Sequence, residues 1–161
     1  MRRITVLFIL CIAIFSSCEK DDFCTKNPVT PMLILRFYDA AERDVFKEAQ
    51  YLSVWAEGKD TLSAYTSISK DSIAIPLNSI TSETIYHLKK NSVDGNLANN
   101  QTATFTIQYT PVEDFVSRSC GYRILFNEVT FSADASWMQD FTPSTLTTIE
   151  NQSAAHVKIY H

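Results

Sequence analysis

Apolar and polar residues alternate along most of this chain. The segment QTATFTIQYT is the clearest case, and its apolar residues all share one face: Ala103, Phe105, Ile107 and Tyr109. Strict alternation with threonine and aromatic residues is typical of a strand whose one face is buried. The pattern therefore predicts a β-strand here.

Five further segments show the same period: PMLILRFYD, YLSVWAEG, SIAIPLN, ETIYHLKK and AAHVKIYH. The inward residues predicted from them include Leu33, Leu35, Phe37, Leu52, Val54, Ala56, Ile73, Ile75, Leu77, Val157 and Ile159. Because proline has no N–H to donate, Pro76 predicts an edge strand or a strand end.

In CGYRILFNEVTF the apolar face changes. Tyr122, Ile124 and Phe126 share one parity, whereas the next apolar pair, Val129 and Phe131, has the other. We interpret the change as a β-bulge near residues 127–128 rather than as a strand buried on both faces.

Turn signals separate these segments. Residues 57–60 and 94–96 are hairpin-like, and SADASWMQDFTP is expected to hold one or two helical turns that end before Pro143. About eight short strands predict an all-β fold, an antiparallel β-sandwich of immunoglobulin-like or transthyretin-like type with one short helical segment.

The N-terminus has the features of a secretory signal. Two arginines precede residues 4–15, which are apolar except for Thr5, and this core is shorter than the roughly 20 residues that span a bilayer as a helix. Phe15-Ser16-Ser17-Cys18 resembles the bacterial lipobox. That resemblance implies cleavage before Cys18 and lipid on its sulfur, and the alternative is a plain signal with an incidental cysteine.

We accordingly divide the chain into a signal peptide (1–17), a tether (18–23) and a single β-sandwich domain (24–161). The charged run after Cys18, Glu-Lys-Asp-Asp, resembles the signal that sends Bacteroidota lipoproteins to the outer face of the outer membrane. A merely solvated tether is the alternative. We expect a lipid anchor in a bacterial outer membrane, with surface exposure favoured over the periplasmic side.

Four cysteines are present, and two remain once Cys11 leaves with the signal and Cys18 carries lipid. Cys24 and Cys120 are an even pair in an oxidising compartment, so we expect a disulfide. A zinc site and a catalytic Cys120 are the alternatives. The chain has no CxxC, and its three histidines have no paired spacing.

Charge and motifs narrow the function classes. The predicted mature chain has 12 basic and 18 acidic residues and no basic run, which argues against nucleic acid as a partner. It contains no Gly-rich phosphate loop, no HExxH and no Ser-His-Asp spacing. We therefore expect no catalytic residues, no metal and no cofactor.

Two kinds of surface site are candidates. Tyr51 and Trp55 lie on the face of their strand opposite Leu52 and Val54, and aromatic side chains stack on sugar rings; alternatively, a second core covers that face with Trp137, Met138 and Phe141. Asp60-Thr61-Leu62 and Asp71-Ser72-Ile73 resemble the acceptor motif for O-glycosylation in exported Bacteroidota proteins, which makes Thr61 and Ser72 candidate acceptors. Such residues also suit strand starts.

The segments FCTKNPVTPMLILRFYD, SCGYRILFNEVTF and HVKIY resemble an uncharacterised lipoprotein family of the Bacteroidota, a domain of unknown function. The resemblance implies a β-sandwich-like lipoprotein and no known activity. We predict a non-catalytic envelope lipoprotein, an interaction or structural module that docks on another outer-membrane protein. The alternative is a surface glycan-binding lipoprotein.

Overall fold

The structure is a computed structural model that describes residues 23–24, 29–92, 97–134 and 136–161. The predicted signal peptide, Cys18 and the predicted turn at 94–96 lie outside the described residues. Of the predicted tether, only Phe23 is described.

Alternating segments form strands throughout the described residues. The ten strands are β1 Leu33–Tyr38, β2 Ala49–Ala56, β3 Ile68–Lys70, β4 Ser72–Ile75, β5 Glu83–Lys90, β6 Gln101–Ser117, β7 Gly121–Ala133, β8 Asp140–Thr142, β9 Thr145–Ile149 and β10 Val157–Tyr160. Short 3₁₀ turns occur at Ser63–Tyr65 and Leu97–Asn99. The all-β prediction is confirmed, with two more strands than the eight expected.

The strands form two sheets that share one core. One sheet has the order β4-β1-β10-β8, and the other has the order β3-β2-β5-β6-β7-β9. Side chains from both sheets belong to a single buried cluster, as in a β-sandwich. Most pairings are antiparallel, but β1 and β10 pair in parallel, with Leu35 opposite Val157.

The predicted inward residues form this core. Leu33, Leu35 and Phe37 of β1 are fully buried, and so are Ala103, Phe105 and Ile107 of β6. Each such side chain larger than alanine contributes about 1.5–3 kcal/mol when fully buried. β4 ends at Ile75, directly before Pro76, and lies at the edge of its sheet, as the proline predicts.

The change of face in β7 lies at Glu128. Phe126 and Val129 are both fully buried although they differ in parity, and Glu128 between them has a φ of 53°. The pairing with β9 keeps one register on both sides, with Asn127 opposite Thr148 and Val129 opposite Leu146. Relative to β9, the left-handed backbone at Glu128 therefore changes which side chains of β7 face the core, and no extra residue is inserted there as it would be in a bulge.

The predicted helical turns after residue 133 are wrong for the described residues there. Asp140–Thr142 is strand β8, which pairs with β10, and the Gln139 N–H donates to the carbonyl of Tyr160 at 2.9 Å. Trp137 donates its indole N–H to the Leu88 carbonyl at 2.9 Å. These contacts with the two sheets hold the segment extended, which local sequence did not indicate.

The chain forms two compact units. The larger comprises Thr30–Asp114 and Ile124–His161 and contains the whole buried cluster. The described residues of the smaller are 23–24, 29 and Phe115–Arg123, the segment where β6 ends and β7 begins. Within it Cys24 and Cys120 form the expected disulfide, 96 residues apart in sequence. Because both sulfurs are bonded, the zinc and catalytic-cysteine alternatives for them are wrong.

Candidate functional site

The candidate aromatic pair on β2 is not a pair in the structure. Trp55 lies directly opposite His87 on β5, and the two rings stack with centroids 5.3 Å apart and planes 29° apart. Tyr51 lies where the β2–β3 register shifts, has a φ of 47° and is 45% exposed. The aromatic partner of Trp55 is thus His87, which the sequence did not suggest.

A shallow polar cleft lies beside the Trp55 ring. Its lining residues are Ser53, Trp55, Lys59, Asp60, Thr61, Lys89 and Ser92. Nε2 of His87, whose ring stacks on Trp55, contacts the carboxylate of Glu57. An aromatic face among hydroxyl and charged groups suits a ligand that carries many hydroxyls. The Ser53 hydroxyl is already paired with that of Ser92 at 3.0 Å.

The turn after β2 places two of these residues. Gly58 has a φ of 67°, which a glycine adopts without steric cost, and the Lys59 N–H donates to the Ala56 carbonyl at 3.0 Å. The chain then returns along β2, so that Thr61 bridges to Trp55. The predicted turn at 57–60 therefore builds one wall of the cleft.

The second-core alternative for this face is wrong. Trp137 and Met138 are 5% exposed and belong to the same buried cluster as Leu52 and Val54, and Phe141 packs against that cluster. Within the described residues no second core therefore covers the outer face of β2, and Trp55 on this face is half-buried.

The two candidate O-glycosylation residues differ in accessibility. Thr61 is exposed, whereas Ser72 is half-buried and donates its hydroxyl to the Leu35 carbonyl at 3.3 Å. Because Thr61 also lines the cleft beside Trp55, a glycan attached there would occupy the same space as a bound one.

A second concavity, mainly apolar, is lined by Ala56, Leu62, Leu77 and Tyr86 among others. The Tyr86 hydroxyl donates to the Pro76 carbonyl at 2.5 Å, and burial raises the pKa of Tyr86 to about 12. This phenol is therefore neutral at physiological pH, and its proton is engaged in the hydrogen bond to Pro76.

Two histidines have structural contacts. His156 Nδ1 accepts the backbone N–H of Ile34 at 2.9 Å, and the His161 ring packs edge-on against Trp137 with centroids 5.2 Å apart. Burial lowers the pKa of both imidazoles. Among the described residues, no three His, Cys, Asp or Glu side chains come together to hold a metal ion.

Sequence reasoning missed the non-local parts of this surface. The stack of Trp55 on His87 depends on β2 pairing with β5, and no local pattern predicts which strands become neighbours. The exposed ring pair of Phe115 and Tyr122, with centroids 5.2 Å apart, was missed because the sequence analysis did not identify the turn between these two residues. Alternation placed each residue on a strand but did not place the strands.

None of the helices in the described ranges has the length and apolar character needed to cross a membrane.

Comparison with models of known protein families gives a match. A family model described as "Family of unknown function (DUF6452)" matches residues 51–161, which include most of β2, all of β3 to β10 and the cleft beside Trp55. No curated protein and no solved structure matches the chain. Since the family model covers well over half of the 161 residues, the protein belongs to this family of unknown function, DUF6452.

Proposed function

We propose that this protein is a non-catalytic lipoprotein of a bacterial outer membrane, anchored through Cys18, whose β-sandwich is an interaction or structural module. The observation that carries the proposal is the Cys24–Cys120 disulfide. A stable disulfide is typical of exported proteins, and this one follows closely on a lipobox-like segment.

The disulfide also limits the tether. Five residues separate Cys18 from Cys24, so the fully extended chain between them reaches roughly 20 Å. Cys24 is bonded to Cys120 at the start of β7. An acylated Cys18 would therefore hold this end of the β6–β7 segment close to the bilayer.

The acyl chains of a lipidated Cys18 would be sufficient by themselves to attach the protein to a membrane. Each buried methylene contributes about 0.8 kcal/mol, so one acyl chain binds reversibly and two or more give stable attachment. The net acidic chain is not attracted to anionic lipid. The acyl chains on Cys18 supply the main membrane affinity.

Fractionation of cells tests the anchor. The Cys18→Ser variant should leave the membrane fraction, whereas the matched Cys11→Ser variant, altered inside the predicted signal, should remain there. Mass spectrometry of native protein should find acyl groups on Cys18 as the first residue. Unchanged partitioning of Cys18→Ser, or a native chain that retains residues 1–17, would refute the proposal. Protease treatment of intact cells then separates surface from periplasmic exposure.

An edge strand gives the module a route to a partner protein. Among the described strands, β9 is the longest at a sheet edge, and it pairs only with β7. The other side of its backbone is open to strand addition by another outer-membrane protein. A photoreactive residue at Thr147 of β9 should crosslink that protein in cells. The same residue at Thr102, exposed on the interior strand β6, should not, and equal crosslinking at both sites would contradict docking at β9.

The cleft beside Trp55 supports surface glycan binding as a second candidate function. Polysaccharide should then shift the tryptophan fluorescence of the protein, and Trp55→Ala should abolish the response without unfolding the chain. Tyr51→Ala is the matched control, because Tyr51 does not line the cleft. Retained binding by Trp55→Ala would eliminate the site.

A further inference from the structure

Exposed aromatic side chains are concentrated in the smaller unit. Phe23 is 80% exposed, Phe115 is 55% exposed and Tyr122 is 64% exposed. The described part of this unit is short, being 23–24, 29 and Phe115–Arg123. Single exposed apolar residues are ordinary on a protein surface, whereas several together mark an interaction surface.

The turn between β6 and β7 carries two of these rings, and a disulfide and a hydrogen bond hold this turn in place. Phe115 and Tyr122 lie on either side of it, with ring centroids 5.2 Å apart. Gly121 has a φ of 73°, the left-handed conformation typical of the residue after a three-residue hairpin turn. The Cys120 N–H donates to Ser117 Oγ at 3.1 Å, and its sulfur is bonded to Cys24.

The charge of this segment is positive although the chain as a whole is acidic. Phe115–Arg123 contains Arg118 and Arg123 and no acidic residue, and Arg118 is exposed. The Tyr122 ring has a polar tip and suits the interface between lipid headgroups and acyl chains, as arginine does, whereas Phe115 and Phe23 supply apolar rings for the acyl side of that interface.

The chain length outside the described residues identifies the occupant of this surface. Five residues separate Cys24 from Cys18, a reach of roughly 20 Å. Cys24 is bonded to Cys120, which lies between Phe115 and Tyr122 in sequence. A lipid on Cys18 therefore brings the bilayer within reach of these rings in particular, because the disulfide ties the short tether to the residue between them.

We propose that Phe115, Tyr122 and Phe23 form a second membrane contact, in which their rings enter the interfacial region of the bilayer that holds the lipid of Cys18. The inference rests on the proposed lipid anchor. The tether raises the effective concentration of the rings at the bilayer surface, so a contact that is weak by itself becomes populated.

Tryptophan substitution in the full lipidated chain tests this contact. Tyr122→Trp and, separately, Phe115→Trp are introduced together with Trp55→Phe, and the protein is reconstituted in phosphatidylcholine vesicles whose acyl chains carry bromine near the headgroup. The signal of the parent that keeps only Trp137 is subtracted. Emission from either new tryptophan should shift to shorter wavelength and be quenched by the brominated lipid.

Two controls use the same vesicles. Ile80→Trp places the ring at a site that is 91% exposed in the larger unit, and its emission should be insensitive to brominated lipid. The soluble Cys18→Ser form that carries Tyr122→Trp should also be insensitive, because the three rings without an anchor bind weakly. An anchored Tyr122→Trp protein with emission equal to that of its soluble form would overturn the contact, and so would equal quenching at residue 80.

The outcome also separates the two proposals. The lipid anchor is refuted, and this contact with it, if the mass of the chain shows no acyl group on Cys18 and the chain does not stay with the vesicles. A chain that is acylated and retained, but whose residues 115 and 122 stay in water, refutes only the contact.

Discussion

Removing the disulfide by the double change Cys24→Ser, Cys120→Ser should destabilise the protein through its unfolded state. The buried cluster contains no residue of the unit that holds the disulfide, so the core contacts of the folded state remain. The bond closes a loop of 96 residues. In the chain-entropy model, cross-linking a loop of about 100 residues contributes about 4.7 kcal/mol at 25 °C, and this is the expected loss in unfolding free energy.

Urea unfolding of the chain from residue 19 onward, followed by far-UV circular dichroism, measures this loss. The dependence of the unfolding free energy on urea should also steepen, because an unfolded chain without the cross-link exposes more surface. Wild-type protein in excess reductant is the control and should match the double variant. A loss below about 1 kcal/mol with an unchanged urea dependence would refute the entropic reasoning.

Three further predictions concern the core, the pH dependence and the surface. Trp137→Phe should lower the unfolding free energy by about 1–3 kcal/mol, because the Leu88 carbonyl loses its indole donor; a change near zero by urea unfolding would contradict a functional hydrogen bond there. Unfolding free energy should fall as pH drops from about 7.5 to about 5.5. The unfolded chain protonates its histidines near pKa 6.5, whereas burial lowers the pKa of His156 and His161 in the folded protein, so the unfolded chain binds more protons over this range. An unfolding free energy that does not change over this range would contradict the lowered pKa of these two histidines. Intact mass of native protein should show a glycan lost in Thr61→Ala and kept in Ser72→Ala, since only Thr61 is exposed; a mass without glycan would eliminate both acceptors.

Much of the fold could be predicted from local alternation. In β6 the four residues predicted to face inward are buried, and in β1 the predicted face is fully buried. Period-two alternation is a direct consequence of how side chains leave a strand, so a single sequence reveals it. The buried face of each strand follows, and with it the all-β class.

What the sequence did not predict depends on contacts between distant segments. Residues 136–142 have a helix-like spacing of apolar residues, but pairing of β8 with β10 holds Asp140–Thr142 extended. The stack of Trp55 on His87 likewise follows from strand order. Local propensity is a weak guide where the tertiary partner decides the conformation. The candidate aromatic pair failed because Tyr51 has a left-handed backbone where the β2–β3 register shifts, although Trp55 itself remained at the site.

The parallel pairing of β1 with β10 has a consequence for how the protein matures. β10 lies inside its sheet, between β1 and β8, and the hydrogen bond from Ile34 to His156 joins residues 122 apart in sequence. Contacts of such long range slow folding, because most of the chain must be ordered before they form. The sheet that contains β1 and β10 is therefore completed only after nearly all of the chain has been synthesised. Under the export that we propose, this delay would keep the sheet from closing before the polypeptide has passed through a narrow translocation channel.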